Sequence, residues 1–290
     1  MGLSTSASIC APVTLSGLRA IHWYYGFLRD PLQTTLRSHA VHGPFFQLPH
    51  LRFLDERPSQ FVVATGAAFN QEVLDNAATW RTVSIMPKGP RNSAARRLGM
   101  GIIRMNGRSH GHYRRLLVPP LHRKSLAAIG ADMVRLVEDE VAAWPEGEVI
   151  DLWEHVRRLM RKLAIGLLLG GDQSRGYPIT ELISEFLDFN WSWKVAACPI
   201  DVPGTPYSRM LRSGEVLERR ILEWAACKRG RLDERDLLSI VVNQPDEHGQ
   251  PASDEKIVGH APTLFAAAYE TCQSVVVDVG ASHPASAGRA

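Results

Sequence analysis

Cysteine is scarce in this sequence: 290 residues hold four, Cys10, Cys198, Cys227 and Cys272, and no two of them form a C-x-x-C pair. That spacing excludes a disulfide-framed secreted scaffold and a zinc ribbon, and it implies reduced thiols in a cytoplasmic protein. Long apolar runs are missing as well. The best, Leu163–Gly171, has nine residues, far short of the ~20 that cross a bilayer as a helix. The N-terminus lacks the basic-then-apolar order of a secretory signal, so no membrane partner is expected. Acid is absent from one whole region: between Asn76 and Ala131 there is no Asp or Glu, while eleven Lys and Arg fall there, leaving 22 basic against 30 acidic residues elsewhere. A basic stretch of that length points to an anion beside it, such as a phosphate, a carboxylated cofactor or an acidic partner. Composition is otherwise that of a globular protein, with 45% hydrophobic and 22% charged residues, enough for a sizeable core in one large domain or two small ones.

What the sequence has in plenty is helical spacing. Residues 32–41, 67–80, 108–118, 124–144, 153–169, 179–197, 207–228 and 233–242 read as helices, several of them closed by Gly or Pro. PFFQL and QFVVATG read as two short strands around a turn, EVIDL as a strand or an extended link, and residues 83–106 as mostly loop. The last helix starts at Ser253, with Asp254 and Glu255 in its first turn, where the helix dipole favours acid. Alternating βα units are absent. The fold class is therefore mainly α with a small N-terminal β-sheet.

Five patterns are candidates for chemistry. Gly107-Arg-Ser109-His-Gly111 matches the G-x-S-x-G elbow of serine hydrolases, with Ser109 as nucleophile, though no run of strands exists to support it. His110 and His112 form an H-x-H pair without further ligands at metal spacing. The basic stretch has no helix-turn-helix partner and no interleaved aromatics, which argues against nucleic acid and leaves a helical binding protein with a basic face as an alternative. His110 and Arg114, four residues apart, share one helix face and suit carboxylates. Finally, Ala267-Ala268-Tyr269-Glu270-Thr271 places an acid and an alcohol in an apolar helix. Two small residues leave room for a ligand, and the Thr271 hydroxyl is positioned to bond the Ala267 carbonyl, opening the helix to a water and a proton relay.

SDEKIVGHAPTLFAAAYET resembles the long central helix of the cytochrome P450 family, the haem-thiolate monooxygenases, and NGRSHGHYRRLLVPPLHRKSL resembles that family's His-x-x-x-Arg helix with the proline-stopped turn after it. The similarity covers roughly residues 20–274. It implies that His110 and Arg114 bind haem propionates, that Ala267 and Ala268 line the oxygen groove, and that Glu270 and Thr271 are catalytic, delivering protons to bound dioxygen. It also implies haem as cofactor, a small organic substrate, and a redox partner protein, either a ferredoxin or a reductase.

The sequence departs from the family pattern in four places. No glycine-bearing cysteine loop follows the central helix, and Cys272, beside the relay threonine, cannot reach the opposite haem face. The family's Glu-x-x-Arg occurs only as Glu154–Arg157, in the wrong helix. After Ser274 the text VVVDVGASHPASAGRA loses the family pattern, and Pro262 should kink the helix. The expectation is an incomplete cytochrome P450 fold over 1–274, an unrelated disordered tail over 275–290, and a polypeptide that is inactive as given.

Overall fold

Asp30 and Pro31 divide the first helical stretch in two. The Asp30 backbone N–H closes α1 (Gly17–Arg29) on Gly26 O at 2.8 Å, while its carboxylate accepts from Gln33 N at 2.9 Å and caps α2 (Pro31–His42). Proline at the first helical position costs nothing, because that N–H has no intrahelical partner. The computed structural model describes residues 12–49, 61–82, 89–127, 130–232, 234 and 236–282. It falls into two units, Met1–Met86 and Pro87–Ala290.

The first unit carries the sheet. Strands β1 (Val13–Thr14), β2 (Phe45–Leu48) and β3 (Phe61–Ala64) lie in the order β1-β2-β3. The β1–β2 pair is parallel and β2–β3 antiparallel, with Phe46 opposite Val63. Side chains alternate along β2, so Phe46 and Leu48 point inward and are fully buried, while Phe45 and Gln47 are not. Leu15, Ala20 and Trp23 complete this core. Trp23 stacks on Phe27 with centroids 4.9 Å apart and donates its indole N–H to Ser38 Oγ at 2.9 Å. Helix α3 (Ala67–Asp75) follows β3.

The second unit is helical: α4 (Ala94–Leu98), α5 (Gly107–Leu117), α6 (Arg123–Ala127), α7 (Gly130–Ala142), α8 (Leu152–Leu169), α9 (Gln173–Trp191), α10 (Trp193–Ala197), α11 (Pro206–Lys228), α12 (Leu237–Asn243) and α13 (Asp254–Ser282). Helix α13 packs against α4, α8, α9, α11 and α12, and Ile257, Val258 and Phe265 on it are fully buried. A bidentate pair, Arg97 Nε and Nη2 to Glu218 at 2.5 and 2.6 Å, ties α4 to α11. No helix among the described residues is long and apolar enough to cross a membrane.

The mainly α architecture with a small N-terminal sheet is as expected, with local differences. EVIDL forms no strand; Asp151 caps α8 instead, accepting from Glu154 N at 3.3 Å. The helix expected over 124–144 is helical over α6 and α7, and residues 128–129 between them lie outside the described residues. The one expected over 179–197 begins at Gln173, where Asp172 accepts from Arg175 N at 3.2 Å, and it carries Pro178 inside. Within 83–106, residues 83–88 lie outside the described residues, and α4 and a 3-10 turn at Ile102–Arg104 occupy much of the rest. Helix α13 is continuous through Pro262, and the Thr263 hydroxyl donates to Gly259 O at 3.2 Å one residue along from the carbonyl that the proline leaves free. It is helical to Ser282, so part of the stretch read as tail is helix; residues 283–290 lie outside the described residues.

Gly259 is where α13 touches the loop after α4. A Cβ there would meet Met100 C at 2.9 Å and Arg97 O at 3.0 Å, both backbone atoms that cannot swing away. Gly259→Ala is expected to cost about 1–3 kcal/mol, read as a lower urea midpoint. Gly166, exposed in mid-α8 with nothing within 4 Å of its virtual Cβ, gives the opposite sign: Gly166→Ala should stabilise by about 0.5–1 kcal/mol.

Candidate functional site

Helix α5 positions the two basic candidates. Its inward residues, Tyr113 and Leu117, are buried and set the rotation of the helix. That rotation leaves His110 half-buried and Arg114 exposed. Neither makes a hydrogen bond or ion pair among the described residues. Just before α5, Arg104 ends the 3-10 turn that packs against both α5 and α13. Burial pushes the Arg104 guanidinium down to about 10, and the positive charge of Arg96 adds to this. A desolvated cation with a cationic neighbour is a further anion-seeking group. Spacing alone did not single Arg104 out, since it lies in no motif; the missing acid was its only signal.

Helix α13 positions the second group. Phe265 and Tyr269 are buried and stacked, with centroids 4.7 Å apart, and the Arg161 guanidinium lies 5.7 Å from the Tyr269 ring. With that face inward, Ala267 and Thr271 are exposed and Ala268 is half-buried against the core. The Thr271 hydroxyl donates to Ala267 O at 2.6 Å, the bond that the spacing predicts. The side chains of Glu270 and Cys272 lie outside the described residues.

The two helices meet near the start of α13, not at Thr271. The Tyr113 and His260 rings are 4.3 Å apart. From His260 the helix rises ~16 Å to Thr271 at 1.5 Å per residue.

Ser109 is not free to act as a nucleophile. Its hydroxyl donates to Glu247, and Lys256 Nζ lies 3.0 Å from Glu247 Oε1 and 3.4 Å from Ser109 Oγ. Burial opposes the charge on Glu247, but hydrogen bonds from Ser109, the backbone and Lys256 outweigh it and hold the carboxyl down at about 2. No histidine bonds Ser109 among the described residues; His112 Nε2 is spent on Pro245 O at 2.9 Å. A 3-10 turn, not a strand, precedes the motif. The serine-hydrolase alternative is corrected accordingly: the elbow needs a strand and a base, and a carboxylate-bound, cation-flanked hydroxyl has neither. Among the described residues no group of three or more potential ligands gathers for a metal ion, so the H-x-H pair stands alone.

No family model matches the chain. Over 176 residues it is 24% identical to cytochrome P450 26B1 of Mus musculus, covering 58% of this chain and 33% of that protein. Over 258 residues it is 27% identical to cyclooctatin synthase of Streptomyces melanosporofaciens, covering 86% of this chain and 53% of that one. Among solved structures, retinoic acid bound cyanobacterial CYP120A1 matches with a TM-score of 0.68 at 18% identity, covering 90% of this chain and 56% of its own. At that identity the likeness is one of fold. The chain spans a third to about half of the length of these curated relatives.

Proposed function

We propose, from the premise that this chain belongs to the cytochrome P450 family, that it contributes the propionate-binding and oxygen-side residues of a haem-dependent monooxygenase. The observation that carries this is the pair His110 and Arg114: two donors on one face of α5, in a region without acid, and without a partner among the described residues. Two donors so placed have no acceptor of their own, and a carboxylate pair would satisfy both. Arg104, drawn out of water on the adjoining turn, would be a third holder of the same charge.

Haem, when bound, would supply the iron at which dioxygen is activated, with electrons from a ferredoxin or reductase. The residues present fit that group on the propionate and oxygen sides: cationic α5 on one, small and exposed Ala267 and Thr271 on the other. His110 and Arg114 would orient the cofactor. Ala267 and Ala268 would leave clearance over it. Thr271 holds its proton on Ala267 O, and turning that hydroxyl outward would free a carbonyl for water, so that Thr271 and Glu270 pass a proton toward the oxygen side. A small organic substrate would lie on the same side.

The family's thiolate drives O–O cleavage. Cys198 and Cys227 are exposed thiols before α13, and neither stands in the family's cysteine loop. We therefore hold that these 290 residues by themselves do not turn over substrate. Haem titration of the chain tests the site. Binding is expected, with Arg114→Ala and His110→Ala each weakening it about tenfold or more, the loss of one charge-assisted bond. Absence of binding, or binding indifferent to both changes, refutes the assignment. A thiolate-type Soret band in the reduced carbon monoxide complex would separately refute the inactivity.

A further inference from the structure

Three buried polar atoms without a hydrogen-bond partner lie on α5, the turn at 245–251 and α13, where Tyr113, Glu247, Lys256 and His260 pack together. They are Tyr113 Oη, Glu247 Oε2 and His260 Nε2. The Tyr113 and His260 rings lie 4.3 Å apart. Lys256 Nζ sits 5.5 Å from the Tyr113 ring and 3.0 Å from Glu247 Oε1, placing the carboxylate beside both rings. Burial first, and then the nearby charge of Glu247, push the Tyr113 phenol up to about 12.

The chemistry of the three atoms is fixed by their other bonds. His260 Nδ1 is 2.7 Å from Lys256 O. A carbonyl only accepts, so Nδ1 carries the hydrogen and Nε2 is a bare acceptor. Glu247 Oε1 already takes Ser109 and Lys256, and Oε2 is a second bare acceptor. Tyr113 has one hydrogen to give. One donor cannot serve two acceptors, and an unserved buried acceptor costs ~1–3 kcal/mol. One water resolves the count, donating twice and accepting once, the three bonds typical of a buried water.

We propose that a single structural water is bound there, donating to Glu247 Oε2 and His260 Nε2 and accepting from the Tyr113 hydroxyl. It joins α5 to α13 and to the 245–251 turn, segments more than 130 residues apart in the chain at the Ser109–Glu247 contact. Tyr113 and His260 are thereby positioning residues: they fix the rotation of α5, and with it the directions of His110 and Arg114. The water site stands or falls independently of the proposed function, since its test involves no haem.

The test uses the full chain. In nitrogen-15 spectra of the histidines, His260 is expected as the Nδ1–H tautomer with a hydrogen-bonded Nε2. The Tyr113 hydroxyl proton is expected to exchange slowly and show a cross-peak to a long-lived water. Tyr113→Phe should shift the Nε2 resonance. His260→Gln keeps an acceptor near Nε2, whereas His260→Asn does not. Pairing each with Tyr113→Phe should give non-additive costs for Asn, which removes the link, by about threefold or more in the unfolding constant, and additive costs for Gln, which keeps it. No long-lived water in the wild-type spectrum, an Nε2 resonance indifferent to Tyr113→Phe, or equal behaviour of Gln and Asn overturns the proposal. The wild-type spectrum decides it even where a variant fails to fold.

Discussion

Lys228→Met is expected to cost about 3–5 kcal/mol, the price of leaving a buried carboxylate without its cation. Lys228 is the last residue of α11 and is almost wholly buried. Its three ammonium hydrogens have three acceptors: Glu234 Oε2 at 2.7 Å, Asp236 Oδ2 at 2.7 Å and Ser239 Oγ at 3.1 Å. The Asp236 side chain is only 3% exposed and is also the cap of α12, accepting from Ser239 N at 2.9 Å. Removing the ammonium therefore strands a charge inside and loosens the start of the helix that packs against α13. Glu234, held down at about 2 by Lys228 first and Arg231 next, should move back toward the ordinary carboxylate range in the variant. Urea unfolding gives the stability, and carboxyl titration by NMR gives the shift. A double change, Lys228→Met with Asp236→Asn, should recover part of the loss, because the stranded charge is gone. A cost below about 1 kcal/mol for the single change would show that water replaces the ammonium and that the cluster is not sealed.

The starts of α8 and α11 are legible in the sequence, whereas α9 begins before residue 179 and α12 after residue 233, although capping chemistry marks all four starts. Asp151, Asp172, Thr205 and Asp236 each accept from a backbone N–H three residues on, and each precedes apolar residues at helical spacing. Helix α1 is hard to read for the opposite reason. Leu18, Ile21 and Tyr25 are exposed while Ala20 and Trp23 are buried, so apolar residues surround the helix and blur its period. Helix α4 has five residues, too few for periodicity; it exists because Ala94, Ala95 and Leu98 are buried and Gly214 on α11 lets the backbone of Ala95 approach. The site divides the same way. His110 and Arg114 follow from an i, i+4 spacing inside an acid-free stretch, and the Thr271–Ala267 bond follows from helix geometry. The junction of Ser109, Tyr113, Glu247, Lys256 and His260 depends on three segments meeting in space, and no local pattern announces that.

Acid should weaken the protein in two successive windows, and His260 sets the first. Burial drives its imidazole down to about 4, the charge of Lys256 adds to that, and the bond to Lys256 O and the Glu247 carboxylate oppose it. The groups acting on it are Lys256 on its own helix, Tyr113 from α5, whose ring lies 4.3 Å away, and the Glu247 carboxylate from the turn. An unfolded histidine takes its proton near pH 6.5, so between 6.5 and 4 the unfolded chain binds a proton that the folded chain refuses. Stability is whole above that window and falls as pH drops through it, by ~3 kcal/mol at ~1.4 kcal/mol per unit. Glu247 acts next. Its folded carboxyl sits at about 2 against an ordinary 4.5, so its contribution is present above pH 4.5 and drains away between 4.5 and 2. Urea midpoints measured from pH 7.5 downward should decline first across the histidine window and again below it. His260→Gln removes the titrating ring, so its midpoint should change less than the wild type's between pH 6.5 and 4.5, while the lower decline persists because Glu247 and Lys256 are untouched. Equal slopes for the two proteins in the upper window would mean that His260 is solvated and charges freely, contrary to its burial between α5 and α13.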